Sequence, residues 1–328
     1  MLSRVADSLY WMSRYLERAE HTARLLDVNL GLMLDEPASA AERRWKRVLA
    51  ALGHPEDVEW EGEPYRLTHS LTFDGEIRGS IVFCIMAARE NARHVREQIS
   101  TEQWHRLNRL YLQVTSKEHA TAEEALALSF DEQSSDFLQS VMEAVHQFQG
   151  VTDSTMSHGE GWQFIQLGRS MERASATVRL LEVYHHDFWG QRERAPEDNE
   201  YLEWIGLLRS CTAFEAYCKV YTADLTSDRI LEFLLLDAAF PHSVRFSIDS
   251  LQNALNAIHA ESGKRHAADH LTRLAGRLQS SLGYSQVGEI LSADVASYLR
   301  GILDQCREIH TTVYQMYINY EIQAALAG

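Results

Sequence analysis

The sequence predicts an all-α protein, a single helical-bundle domain built from two duplicated and interlocked halves. Three observations lead there. Only five prolines occur in 328 residues, none of them between 65 and 195 or after 241, which leaves long stretches free for helix. Apolar residues recur at alternating steps of three and four, the spacing of a helix face. And one fifteen-residue stretch is written twice. Arg14-Tyr-Leu-Glu-Arg-Ala-Glu-His-Thr-Ala-Arg-Leu-Leu-Asp-Val28 returns 155 residues later as Arg169-Ser-Met-Glu-Arg-Ala-Ser-Ala-Thr-Val-Arg-Leu-Leu-Glu-Val183, with nine of the fifteen positions identical. Unrelated helical segments would share roughly one, so a duplication is the simplest source.

The first copy belongs to a helix over about 3–31. Its apolar seam is Val5, Leu9, Met12, Leu16, Ala19, Ala23, Leu26 and Leu30. The second copy, about 158–186, keeps the seam as Phe164, Leu167, Met171, Ala174, Val178 and Leu181. Small residues mid-seam would let two backbones approach, and the repeat helices are expected to pack on each other there. The halves then run over 1–150 and 151–328 as one domain.

The other elements follow in order. A helix over about 40–52 carries Trp45 and ends in the turn-rich loop from Gly53 to Pro64. Tyr65–Phe73 alternates enough to suggest a short strand, but an all-helical context favours a short helix or coil. Ser80 caps a helix over about 80–99, and Ser100-Thr-Glu-Gln103 is a capping box that opens the next. Thr121-Ala-Glu-Glu124 is another such box, and a helix over about 134–149 closes the first half. Ser157-His-Gly-Glu160 caps the second repeat helix, and the charged stretch Gly190–Asn199, with Pro196, is the best linker candidate. Helices over about 200–222, 227–239, 244–259, 265–281 and 292–325 complete the chain, with turns at Phe240–Ser243 and Gly283–Gly288. A fainter second match, at an offset of 149, pairs Val95 with Val244, Arg96 with Arg245 and Ile99 with Ile248.

Composition excludes several function classes. With 45% hydrophobic and 24% charged residues the chain is an ordinary globular one, and a net charge of −16 repels phosphate backbones and anionic lipid. Neither nucleic acid nor a membrane is an expected partner. The longest apolar run, Gly79–Ala88, is too short to span a bilayer and no leader-like segment opens the chain, so a cytoplasmic location is expected. The cysteines Cys84, Cys211, Cys218 and Cys306 form no CxxC pair and read as buried free thiols.

Chemistry concentrates on the duplicated helix. Arg14, Glu17, Arg18 and His21 fall opposite the seam, yet Tyr10, Trp11, Leu25 and Val28 share that side, so the helix is apolar all round and its charges are enclosed. Enclosed charges must be paired. Glu17 with Arg14 or Arg18, and Glu172 with Arg169 or Arg173, can pair within each helix. One reading makes these ion pairs a device that fixes bundle register. The other makes them a polar pocket in which Arg14, Arg18, Arg24, Arg169 and Arg173 bind an anion and Glu17 or Glu172 handles a proton, with Glu20 in support. A glutamate held between two arginines has a lowered pKa, which suits an orienting group better than a general acid.

A second polar block, Arg89-Glu-Asn-Ala-Arg-His-Val-Arg-Glu-Gln-Ile-Ser100, ends an apolar helix and is followed by Trp104. It is either an exposed face tied by i,i+3 and i,i+4 pairs, or the place where Glu90, Asn91, Arg93, Arg96 and Trp104 complete a pocket with the repeat helix, Arg245 standing in the second half. Two Glu-x-x-His pairs, Glu143/His146 and Glu182/His185, have di-metal spacing but are not duplicated, so no metal is expected. There is no phosphate-binding loop and no GxSxG, and no cofactor is called for.

Met1 through Arg24, Arg89-Glu-Asn-Ala-Arg through Trp104, and Phe240-Pro-His-Ser-Val-Arg245 together resemble the bacterial alpha-E family, over essentially the whole chain. The resemblance implies an all-helical protein, encoded beside or fused to a circularly permuted ATP-grasp protein and often near a transglutaminase-like peptidase. It thereby implies a part in an amide- or peptide-forming system, with an ATP-grasp-type ligase as partner and the peptidase as a second candidate; homo-oligomers stay open. Its motif positions fall on Arg14, Glu17, Arg18, Glu20, Arg24, Glu90, Asn91, Arg93, Arg96, Trp104, Glu172, Arg173, Pro241 and Arg245. His242 departs from the arginine expected after the proline. No catalytic role comes with the resemblance, so a binding component, a stand-alone enzyme and a scaffold are all carried forward.

Overall fold

The computed structural model describes residues 1–33, 38–53, 58, 60, 62–116, 130–188, 200–222, 224–262 and 265–318. Helix is the only regular structure among them. The helices are α1 (Ser3–Met33), α2 (Ala38–Leu52), α3 (Pro64–Phe73), α4 (Ile81–His94), α5 (Thr101–Thr115), α6 (Phe130–Thr155) and α7 (Glu160–Phe188). They continue as α8 (Glu200–Ser210), α9 (Phe214–Tyr221), α10 (Ser227–Leu236), α11 (Val244–Ser262), α12 (Arg265–Tyr284), α13 (Val287–Ser292) and α14 (Val295–Val313), the last running into a π turn at Tyr314–Ile318. The capping box at 121–124, the linker at 190–199 and the end of the terminal helix lie outside the described residues.

Local chemistry sets most boundaries. The Ser100 hydroxyl accepts from Gln103 N at 3.1 Å while Gln103 Oε1 accepts from Ser100 N at 2.7 Å, which is the reciprocal cap expected there. Residues 64–73 form a helix with Pro64 in its first turn. The segment expected as one helix over 200–222 breaks at Thr212, which adopts a left-handed φ of 53°. The turn expected at 283–288 narrows to residues 285–286, between α12 and α13.

The helices pack as two rings of four. In the first, α1 packs on α4, α4 on α5, α5 on α6 and α6 on α1; in the second, α7, α11, α12 and α14 repeat that order. The rings share the α1–α7 contact, and a single hydrophobic core runs through both. Each ring also borrows from the other, since α2 packs on α7 and α8 on α1. Arg44 and Arg47 of α2 meet Glu203 of α8 across that exchange, at 2.9 and 2.6 Å.

The α1–α7 contact does not run along the apolar seam, which corrects the expectation. A Cβ built on Gly168 of α7 would stand 2.3 Å from both the Ser13 hydroxyl and the Tyr10 carbonyl oxygen, so the helices cross along Tyr10, Ser13 and Glu17. At about 100° per residue this face is roughly a third of a turn from the seam. The seam lies instead between α4, reached by Tyr15 and Thr22, and α6, reached by Glu20 and Asp27.

The entry to α4 and the entry to α11 are built alike, 163 residues apart. Helices α3 and α10, ten residues each, end on Asp74 and Asp237. Each aspartate accepts from a backbone N–H two residues on, at 2.8 Å in both cases. Ser80 and Ser243 then donate to the aspartate carbonyls (2.6 and 2.5 Å) and accept from Phe83 N and Phe246 N (3.1 and 3.0 Å). Thr22 and Thr177, equivalent in the repeat, donate to the carbonyls just before these serines, those of Gly79 and His242. This overturns the offset of 149. Val95 ends α4 whereas Val244 begins α11, so Val95, Arg96 and Ile99 are not the counterparts of Val244, Arg245 and Ile248.

Candidate functional site

The crossing of α1 and α7 brings the glutamates and arginines of the two similar sequence stretches together. Glu17 and Glu172 are 3% and 4% exposed, so neither carboxylate could remain charged there without partners. The partners come from the opposite repeat helix rather than from the same one, a second correction. Glu172 receives Arg14 (Nε at 2.8 Å, Nη2 at 2.7 Å) and Arg18 (Nε at 2.7 Å). Glu17 receives Arg173 through both Nε and Nη2, with Gln149 Nε2 at 3.2 Å. Residues equally spaced on one helix can pair along it or across a crossing, and burial of the crossing face selects the second.

Burial alone would raise the Glu172 pKa, but the charges and hydrogen bonds of Arg14 and Arg18 outweigh it and hold the carboxyl far below the usual range. Glu172 is therefore a fixed anion and no proton donor at neutral pH. Arg14 also lies over Trp11 and Tyr10, with its Cζ 4.7 and 5.6 Å from the rings, and its Nη1 is 3.2 Å from His310 Nδ1. Tyr10 OH is 2.9 Å from the same Nδ1. Two donors converging on Nδ1 require the neutral imidazole, and burial followed by the Arg14 charge depresses His310 to about 4.

The two halves of the cluster are not equal. Arg169, the counterpart of Arg14, bonds Gln166 and reaches no carboxylate among the described residues. Arg24 pairs with Glu20, whose carboxylate is also 3.5 Å from His146. Burial works against the Glu20 charge, but His146 and Arg24 prevail and lower its pKa. His21 lies half-buried beside this pair and is depressed to about 4 by desolvation, and His242 is lowered by desolvation and by Arg173. Arg179, the counterpart of Arg24, makes no hydrogen bond or ion pair with any described residue.

The second polar block stays apart. Glu90 takes both guanidinium nitrogens of Arg93 (2.9 and 2.5 Å) and lies 3.1 Å from His94, all three side chains about half exposed. Asn91 donates to the Ala87 carbonyl. Trp104 is flanked by Arg89 and Arg96, each with its Cζ 5.5 Å from the ring. Phe83 touches Tyr15 of α1, and Arg93 is ten residues further along α4, roughly 15 Å away. Arg245 is also elsewhere. It lines a cavity of about 530 Å³ at the α10–α11 corner with Tyr221, Glu232 and Asp237, and donates to the Leu236 carbonyl.

Sequence reading missed Gln149 and His310, named Tyr10 only as an apolar neighbour, and weighed His146 only as half of a Glu-x-x-His pair with Glu143. It also passed over Arg179, although this is one of the nine repeated positions. Among the described residues no group of three or more His, Cys, Asp or Glu side chains could hold a metal. Cys84, Cys211 and Cys306 are buried thiols pushed up to about 12, so none is a thiolate nucleophile near neutrality.

A family defined as "a predicted alpha-helical domain with a conserved ER motif" matches residues 1–318. The chain belongs to this Alpha-E family. Of the four Glu-Arg steps in the sequence, Glu17-Arg18 and Glu172-Arg173 supply residues at the centre of the crossed ion pairs, Glu42-Arg43 lies away from it and Glu193-Arg194 falls outside the described residues. Uncharacterised proteins of Mycobacterium bovis and Mycobacterium tuberculosis are 25% and 24% identical over 331 residues, 93% of this chain. The chain spans only 36% of the length of these curated relatives. No solved structure matches it. No helix among the described residues is long and apolar enough to cross a membrane.

Proposed function

We propose that this Alpha-E chain is the helical binding component of an ATP-grasp-linked amide- or peptide-forming system, holding an anionic substrate or partner segment while a ligase performs the chemistry. The observation that carries this reading is the saturation of Glu172 by Arg14 and Arg18. A carboxylate so held supplies no general acid, which weighs against a stand-alone enzyme built on this cluster. The relatives' greater length supports a module that works beside other protein, since most of each relative lies outside the match. The resemblance to proteins encoded with ATP-grasp ligases supplies the class of partner.

The crossed ion pairs serve the fold in this reading, and anion binding falls to arginines not already neutralised. A pull-down of the tagged chain from its native extract at low salt, followed by mass spectrometry, tests it. Recovery of an ATP-grasp protein, and ATP-dependent amide formation only when both are present, is the expected outcome. Turnover by the isolated chain, lost in a folded Glu172→Gln variant, would replace this reading with the enzyme.

A further inference from the structure

The repeat allows each half to act as a reference for the other. In the first half Arg24 is neutralised by Glu20, one helical turn before it, with His21 alongside and His242 arriving at the start of α11. Under the offsets of the repeat and of the helix entries, Glu20 becomes Ser175, His21 becomes Ala176 and His242 becomes Gly79. Each of these three groups beside Arg24 is thus replaced near Arg179 by a smaller, uncharged one. Ser175 spends its hydroxyl on the Met171 carbonyl at 2.8 Å.

The Arg179 side chain is nonetheless half-buried. It lies under the end of α2, where a Cβ built on Gly53 would be 3.5 Å from its Cζ. Its charged neighbours are Glu172, Arg18, Arg14 and Arg307, three cations against one carboxylate that Arg14 and Arg18 already occupy. Arg18 retains a quarter of its side-chain exposure and Arg307 is mostly exposed, so this side of the crossing opens to solvent. Among the described residues no carboxylate is left to pair with this arginine, and a planar anion with two oxygens would suit it.

We propose that the second half holds an external carboxylate against Arg179, at the place that Glu20 fills from within in the first half. This rests on the binding reading above and specifies it: the ligand is a small carboxylate or the C-terminal carboxylate of a peptide, and the second half carries the site. The first half is its self-filled counterpart.

Isothermal titration of the full chain near pH 7 at low salt tests this with three probes: propionate, N-acetyl-alanyl-alanine, and the C-terminal amide of that dipeptide. One-to-one binding of a carboxylate probe is expected, with none of the amide. Binding of both carboxylates points to a small acid, and binding of the dipeptide alone to a peptide terminus. Ser175→Glu, which rebuilds the Glu20–Arg24 arrangement, should weaken binding at least tenfold while raising the melting temperature. Ser175→Ala should bind as wild type, and Arg179→Gln should lose binding even if Ser175→Glu fails to fold. Absence of saturable binding by wild type, or wild-type affinity in Arg179→Gln, overturns the site. A ligase recovered by a chain that binds no carboxylate would overturn the site alone, and carboxylate binding without a ligase would leave the site and remove the partner.

Discussion

Gly168 faces Ser13 across the helix crossing, and these are equivalent positions of the repeat, 155 residues apart. Alanine in a helix normally gains up to ~1 kcal/mol over glycine. At Gly168 the added methyl would meet the Tyr10 backbone carbonyl at 2.3 Å, and backbone cannot rotate away as a side chain does. Gly168→Ala should lose about 2–3 kcal/mol in urea denaturation, the range of overpacked cores. Gly150→Ala in α6, where nothing lies within 4 Å, should gain about 0.5–1 kcal/mol. Equal effects from the two would show that the crossing is not tight.

Removing the charge of Glu172 should cost about 3 kcal/mol, because the mostly buried Arg14 and the quarter-exposed Arg18 would lose their carboxylate. The folded pKa of Glu172 is depressed from 4.5, so its contribution is complete above that value and drains away as the pH falls below it. Wild type should therefore lose stability steeply from pH 5 to pH 3, and Glu172→Gln should lose less over the same interval. Parallel profiles would remove Glu172 as a source of acid sensitivity.

His21 predicts a second, higher window. Its folded pKa is lowered from 6.5 to about 4 by desolvation, the charges of Arg24 and Arg179 acting the same way against those of Glu20 and Glu172. The unfolded chain takes up this proton first, so stability is complete above pH 6.5 and declines as the pH falls toward 4, by about 2 kcal/mol at pH 5. Subtracting the profile of His21→Gln from that of wild type should leave this slope. A flat difference between pH 7 and pH 5 would mean that His21 titrates alike folded and unfolded.

Glu203 ties the exchanged helices α2 and α8 through Arg44 and Arg47. Its loss leaves two largely buried guanidiniums short of a carboxylate at the edge of the molecule, where local opening is easiest. In hydrogen exchange, Glu203→Gln should speed the amides of 38–52 at least tenfold and leave those of α1 and α7 near their native rates. Uniform acceleration would show that α2 and the two rings open as one unit.

The fold class and most helix positions were legible from sequence because they depend on local chemistry: apolar spacing, proline placement and caps such as Ser100 with Gln103. The second block of the repeat was misaligned for a related reason. Val95, Arg96 and Ile99 match Val244, Arg245 and Ile248 because helical segments share apolar spacing, whereas the equivalent corner is marked by only three residues, Asp74, Ser80 and Phe83 against Asp237, Ser243 and Phe246.

The sequence by itself determined that α1 and α7 would be helices with enclosed charges that must be paired. Tertiary structure alone decided the partners: Arg14 and Arg18 meet Glu172, and Arg173 meets Glu17, because Gly168 admits Ser13 at the crossing and sets the register between the helices. The inequality of Arg24 and Arg179 was likewise settled in space. The substitution of Ser175 for Glu20 was visible in the text, but its consequence depends on burial and on the charges that other helices bring to Arg179. Helical periodicity is fixed within a few residues along the chain, while electrostatic pairing depends on distances between segments some 155 residues apart.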